Sequence, residues 1–420
     1  MGRKKTKAEE ETSASTATRR AIVSTPHLKR NSIVVVGFLA VLAMLFVNFR
    51  SPSVERDSGL SVLLITVDTL RADALGVYGG RAETPWIDRL AREGVRFETA
   101  HAHNVVTLAS HANILSGQLP LSHGVRDNTG FRFPADMKTL ATRLQSLGFR
   151  TGAFVSAFVL DSRFGLNRGF DVYDDRTTGI EVQSPFRVPD RQGAETVELA
   201  KTWIDAQGGS QFFAWVHLYD PHFPYVPKEP FASRYAADLY SGEVAATDAA
   251  LGRLLGPILD GPRKDKVLVV FTSDHGEGLG EHGESTHGVF AYESTLRVPL
   301  IFWSHTLPGA TVKTPVRHID IVPSVLDALG QESDNQLPGR SLLSLLGGRQ
   351  GDAAFSYFES LSPSLNQGWA PLRGLFDGRF KYIDLPLPEV YDLAQDPKEM
   401  KNLAATEPQE WLTSLRRPQI

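Results

Sequence analysis

Two strand-like runs in this chain end on an acid. SVLLITVD stops at Asp68 and KVLVVFTSD at Asp274, with His275 immediately after. The second run opens SDHGEGLGEHGESTHG, residues 273–288, which carries Asp274, His275, Glu277, Glu281, His282, Glu284 and His287 among five glycines that permit tight turns. Carboxylate plus imidazole suits a divalent cation such as Zn, Mn, Mg or Ca. Asp68, Asp274 and His275 are the expected ligands, and a three-ligand set leaves positions open for a substrate oxygen and a nucleophile. The stretch HNVVTLASHANILSG, 103–117, places Thr107 at the mouth of a helix that also carries Ser110 and His111. Thr107 has two readings: an N-cap whose hydroxyl accepts from the first turn, or a nucleophile that is itself a ligand of the cation, which lowers its pKa, set at a helix N-terminus that favours an anion. The two are compatible. A further cluster, HLYDPHFPY, follows a strand and offers His217 and His222 to an oxyanion or a leaving group.

Positioning these residues requires an alternating scaffold. Runs at 61–68, 150–156, 212–218, 266–274 and 298–304 read as buried parallel strands. Helical patterns at 84–94, 139–148, 194–206 and 242–259 separate them. The expected fold is α/β, a mostly parallel sheet sandwiched by helices over 60–350, with a small antiparallel subdomain over 351–420. In such sheets ligands bind at the carboxyl ends of the strands, where both acids fall. Other polar residues read as structural. Asp73 braces a turn, Asp248 faces solvent or caps a contact, and His123 closes a helix. Arg71, Arg126 and Arg297 make ion pairs.

Composition narrows the function. The chain has no cysteine, which excludes disulfides, thiolate zinc sites and a cysteine nucleophile. Its formal net charge is −4, and no basic patch interleaves with aromatics, so nucleic acid is not an expected partner. Residues 1–30 hold eight Lys or Arg against three Glu and read as a basic cytoplasmic tail. Residues 31–49 are uncharged and apolar, long enough for one transmembrane helix, and longer than the ~7–15 residues of a signal-peptide core. Residues 50–59 read as a linker. The charge bias puts the N-terminus in the cytoplasm and the catalytic domain outside the cytoplasmic membrane, in periplasm or exterior.

LLITVDTLRADALGVYG, TPWIDRLAREGVRFETAHA, VHLYDPHFPY, TSDHGEGLGEHG, YESTLRVPLIFW and VYDLAQDPKEMKNLA resemble, in order, segments of the sulfatase family of the alkaline phosphatase superfamily. The resemblance implies a metal-dependent ester hydrolase with VVTLASHANILSG at the place of the family's C/S-x-P-S-R nucleophile helix. Thr107 stands where that family carries the residue oxidised to formylglycine, and threonine cannot become the aldehyde. His111 replaces the closing arginine, Thr69 the second acid after the first strand, His275 an asparagine, and His287 a lysine. An unmodified threonine resembles the superfamily's membrane-anchored phosphoethanolamine and lipoteichoic acid transferases and its nucleotide pyrophosphatases.

A threonine phosphate is resolved by in-line attack at phosphorus, whereas a threonine sulfate requires water to attack sulfur. The expected reaction is therefore hydrolysis or transfer of a phosphomonoester or phosphodiester. In it Thr107 is the nucleophile, His217 or His222 serves the leaving oxygen, and His111 and His287 hold anionic oxygens. Sulfate-ester hydrolysis by the unmodified threonine is one alternative, and a non-catalytic envelope-binding protein on this fold is another. The substrate is a small-molecule or envelope-polymer ester.

Overall fold

The computed structural model describes residues 54–177, 190–332, 334–347 and 354–404. The expected tail, 1–30, and membrane anchor, 31–49, lie outside them. Among the described residues no helix is long and apolar enough to cross a membrane.

The central strand β1 (Ser61–Val67) is buried along its whole length, so its side chains need apolar partners on both faces. Val62 and Leu64 enter one core, while Leu63, Ile65 and Val67 enter the other. The second core is covered by α1 (Pro85–Glu93), which follows β1. The strands that extend the sheet are β2 (Val95–His101), β3 (Arg150–Phe154), β4 (Val172–Asp174), β5 (Phe212–Leu218), β6 (Val267–Ser273), β7 (Arg297–Trp303), β8 (Ala310–Val312) and β9 (Val316–Arg317), in the order β4-β3-β5-β1-β6-β7-β2-β8, with β9 also on β2. Helices α2 (Thr107–Ser116), α3 (Leu140–Ser146), α4 (Gly193–Ala206), α5 (Leu239–Asp260) and α6 (Ile321–Ala328) complete the layers. Leu108, Ala112 and Leu115 of α2 join the core of Val62; Val197 of α4 and Leu251 of α5 join the other.

The five expected strands are present, but β7 is not parallel. It runs antiparallel to β6, pairing Val269 with Trp303 and Thr272 with Leu300. The chain leaves β6 at the site edge and turns back there through the Gly-rich loop, with only the 3-10 turn Glu281–Gly283 and the short helix Glu293–Leu296 between, so nothing carries it to the opposite edge as a parallel crossover would. β2 likewise runs antiparallel to β7.

A second sheet, β10 (Ser356–Ser360), β11 (Leu372–Phe376), β12 (Phe380–Asp384) and β13 (Glu389–Asp392), is antiparallel in chain order, with α7 (Ser362–Gln367) between its first two strands. It is tied to the segment before α2: the Glu359 N–H donates to the His103 carbonyl at 2.9 Å. Buried Lys381 lies 2.8 Å from Glu399 Oε1 and 3.3 Å from Glu293 Oε1.

Candidate metal-dependent active site

In the β1–β6 ladder Val67 lies opposite Ser273, so the next residues, Asp68 and Asp274, leave neighbouring strands side by side, about 4.8 Å apart in backbone. Both carboxylates are fully buried. Asp274 Oδ1 accepts from the N–H groups of His275, at 2.8 Å, and Thr69, at 3.3 Å, which turns Oδ2 inward. Thr69 reaches that bond with a φ of +54°, a strained conformation for a β-branched residue that costs ~1–3 kcal/mol. The Tyr240 hydroxyl, donating to the Thr69 carbonyl at 2.8 Å, helps hold it. His275 Nδ1 lies 3.0 Å from the Gly276 carbonyl, which can only accept, so the proton sits on Nδ1 and Nε2 presents its lone pair. That Nε2 is 3.4 Å from Asp274 Oδ2 and 3.8 Å from Asp68 Oδ1.

These three atoms have no hydrogen-bond partner. They lie within 4.8 Å of one another. Burial raises the pKa of Asp68, and burial with the Asp68 charge raises that of Asp274. Burial opposes a charged His275 ring, yet Asp274 and Asp68 together push its pKa up. Two buried acids converging on an imidazole lone pair fit a divalent cation, which satisfies all three orphaned atoms and offsets their charge.

Thr107 is the first residue of α2, not its cap. Val106, extended at φ −140°, precedes it and has no side-chain acceptor to offer. The capping reading is thereby overturned: the Thr107 hydroxyl donates instead toward Asp68 Oδ2, at 3.5 Å, on the lip of the cluster. The acceptor for the first turn comes from elsewhere in the chain, with Asn128 Oδ1 taking the Leu108 N–H at 2.8 Å. Ser110 donates to the Asp274 carbonyl at 2.6 Å and fixes α2 against β6.

The histidines separate by what their nitrogens already hold. His111 lies behind Thr107 with both occupied, Nδ1 donating to the Thr107 carbonyl at 2.8 Å and Nε2 accepting from Thr66, whose hydroxyl in turn accepts from Trp215. Burial drives its pKa down to about 3. A neutral ring with both nitrogens engaged braces α2 behind Thr107, a different place from the anionic oxygen expected for it. His217 sits in β5, where Nδ1 accepts from the Ser156 N–H at 3.3 Å. Its proton is therefore on Nε2, unpartnered and 3.7 Å from Asp68 Oδ2, and burial lowers its pKa to about 4. His222 is partly exposed, with Nδ1 on the Phe223 carbonyl at 2.6 Å and its ring stacked on Tyr219. His287 packs against both His275 and His222, with ring centroids at 4.5 and 5.1 Å.

A family model described as Sulfatase matches residues 61–331, and a second, described as N-sulphoglucosamine sulphohydrolase, C-terminal, matches residues 280–417. The chain belongs to the sulfatase family. It is an ester hydrolase of that family, within the alkaline phosphatase superfamily. It is 26% identical to the uncharacterized sulfatase YidJ of Escherichia coli K12, over 81% of this chain and 82% of that protein. It is 25% identical to the multifunctional alkaline phosphatase superfamily protein PehA of Trinickia caryophylli, over 82% and 91%. Its fold matches the crystal structure of the phosphonate monoester hydrolase of Agrobacterium radiobacter with a TM-score of 0.71 and 23% identity, covering 85% of this chain and 95% of that one.

In this sulfatase-family hydrolase several residues that the motifs did not single out support the site. Glu277, buried, takes the Tyr225 hydroxyl on Oε2 at 2.9 Å and His287 Nδ1 on Oε1 at 3.0 Å, so a three-residue chain orients His287. Its position in the acidic loop was visible; its partners were not. Asn128 carried no local signal. The arginines are spent on structure: Arg71 on Asp73 and Glu281, Arg126 on Glu359, and Arg297 on the Glu98 carbonyl at 2.9 Å. Asp248 is buried, accepting from Trp86 and Ile87 at the start of α1, so it caps that helix and does not face solvent. His123 closes its helix and bonds Asn113 at 2.7 Å.

Proposed function

We propose that this hydrolase cleaves phosphomonoesters or phosphodiesters through a covalent intermediate on Thr107, and passes the phosphoryl group to water or an acceptor alcohol. The observation that carries the reading is the Thr107 hydroxyl, free of the helix cap and 3.5 Å from Asp68 at the edge of the Asp68–Asp274–His275 cluster. A bound divalent cation supplies Lewis-acid stabilisation of the charge that develops on the phosphoryl oxygens. The protein's own groups do the rest. Thr107 Oγ forms a bond to phosphorus as the bond to the leaving oxygen breaks, and its proton passes to Asp68 Oδ2. His217, neutral, donates a hydrogen bond from Nε2 without giving up the proton. His222 gives a proton to the leaving oxygen and takes one back from the incoming water or alcohol, which attacks phosphorus as the Thr107 Oγ–phosphorus bond breaks, and the proton held by Asp68 Oδ2 returns to Thr107 Oγ. His287, whose Nδ1–H is held by Glu277, offers Nε2 as an acceptor for the hydrogen bond of the incoming water or alcohol, in place of the anionic oxygen expected for it.

Beside Val106 and His287 a pocket of about 380 Å³ is lined by Asn128, Gln367 and Trp369. Trp369 is 60% exposed. Among the described residues no lysine or arginine lines the pocket and the carboxylate of Asp127 does, which favours a remainder without negative charge on the ester. A second reading, sulfate-ester hydrolysis at the same threonine, draws support from the sulfatase relatives, among them an N-acetylglucosamine-6-O-sulfatase of Bacteroides thetaiotaomicron at 24% identity. We place the hydrolase outside the cytoplasmic membrane on a single anchor at 31–49, acting on a small-molecule or envelope-polymer ester.

The test is mass spectrometry after brief exposure to Mn and aryl phosphate mono- and diesters or aryl sulfate. A phospho-adduct on Thr107, absent in Thr107→Ala while that variant still binds Mn, is the expected result. Asp274→Asn is expected to lose both metal and turnover. A sulfo-adduct, or turnover retained by Thr107→Ala, overturns the phosphoryl reading.

A further inference from the structure

The start of α2 is capped from a distance. Thr107 has the side chain that normally caps a helix, and one residue of fraying would make it the N-cap, its hydroxyl drawn to the backbone N–H groups of the first turn and away from Asp68. Asn128 opposes that fraying: its Oδ1 holds the Leu108 N–H at 2.8 Å, the second N–H of a helix that starts at Thr107 after Val106. Asn128 is itself held. Its N–H donates to Asp127 Oδ1 at 2.8 Å. Asp127 is buried and accepts from Ser362 Oγ at 2.5 Å and Asn366 Nδ2 at 2.8 Å, both on α7. Arg126 closes on both oxygens of buried Glu359 in β10.

Three consecutive residues, Arg126, Asp127 and Asn128, thus link the C-terminal sheet and α7 to the helix that carries the nucleophile. We infer that Asn128 is a positioning residue: by capping α2 in place of Thr107 it leaves the Thr107 hydroxyl facing the Asp68–Asp274–His275 cluster, and the C-terminal segment holds it there. The inference rests on the reading of Thr107 as a residue of that site, but not on which ester is cleaved.

The experiment is a double-mutant cycle on Mn affinity, measured by calorimetry on the full chain, together with the rate of adduct formation. Asn128→Ala is expected to weaken Mn binding and slow the adduct by ~10-fold or more, the range seen when partners of metal-site residues are removed. Thr107→Ala is expected to weaken Mn similarly, and the double variant no further, because both changes remove the same hydroxyl from the site. Asn128→Asp keeps the acceptor oxygen and is expected to restore Mn affinity. A helix cap of purely structural value predicts a lower Tm for Asn128→Ala with Mn affinity and adduct rate unmoved, or additive effects in the cycle; either overturns the proposal. If Asn128→Ala does not fold, Ser362→Ala reads the same coupling from its far end, and an unchanged Mn affinity there is the overturning result. A wild type that forms no adduct but shows the non-additive Mn cycle sinks the phosphoryl reading and leaves Asn128 in its role.

Discussion

Glu277 shows how a single buried residue sets the state of its neighbours. Its two oxygens each accept one hydrogen bond, from the Tyr225 hydroxyl and from His287 Nδ1. The ring proton is then on Nδ1, and His287 Nε2 keeps a lone pair. Across the cluster His217 holds the opposite tautomer, because its Nδ1 is the acceptor. Donor and acceptor nitrogens are thus preset by bonds made outside the reacting atoms. In Glu277→Gln the amide oxygen is needed by Tyr225, so the NH₂ group faces His287 Nδ1 and moves the ring proton to Nε2. The expected result is a fall in kcat of ~10²-fold with Mn content unchanged, checked by steady-state kinetics and metal analysis. A full kcat would show that His287 does not act through its tautomer.

Among the elements, α1 and α5 are joined by one carboxylate. Asp248, inside α5, accepts from Ile87 at 2.8 Å and Trp86 at 3.3 Å at the start of α1, where Thr84 provides no side-chain cap. Trp86 packs close to Gly252, where a Cβ would come within 2.2 Å of its Nε1, so the two helices meet too tightly for a larger residue. Burial raises the Asp248 pKa to about 7. The folded state therefore keeps the proton up to about 7, while the unfolded chain gives it up near 4. Between those values the folded state binds more protons, so stability falls as pH rises, by up to about 1.4 kcal/mol per pH unit from this group. Urea unfolding across pH 4–7 is expected to show that slope in the wild type. Asp248→Asn, neutral in both states, should lack it.

At the scale of the whole molecule, the sheet order brings the site together. β5, β1 and β6 are neighbours, so His217, Asp68 and Asp274 come from three adjacent strands, and the second sheet holds the loops around Thr107. The described residues account for the catalytic fold without residues 1–53. If 31–49 is the anchor, the full chain fractionates with membranes, and the chain lacking 1–53 is expected to be recovered in the supernatant with its Mn binding intact. Recovery of the full chain in the supernatant would remove the anchor from the reading.

The two acids at the strand ends were legible in the residues alone. Apolar runs that stop on Asp68 and Asp274 are local patterns, and hydrophobic burial places such strands with little help from the rest of the chain. The α/β alternation and the helices at 84–94, 139–148, 194–206 and 242–259 are local in the same sense. Tertiary structure decided what depends on residues far apart in sequence. It reversed β7, because the return loop stays on the site edge. It buried Asp248 against a helix some 160 residues earlier. It gave the cap of α2 to Asn128 and not to Thr107, although threonine is a good local cap, because a hydrogen bond goes to whichever acceptor the folded chain holds in place. The hydroxyl that local propensity would have spent on the helix was thereby left facing the acids.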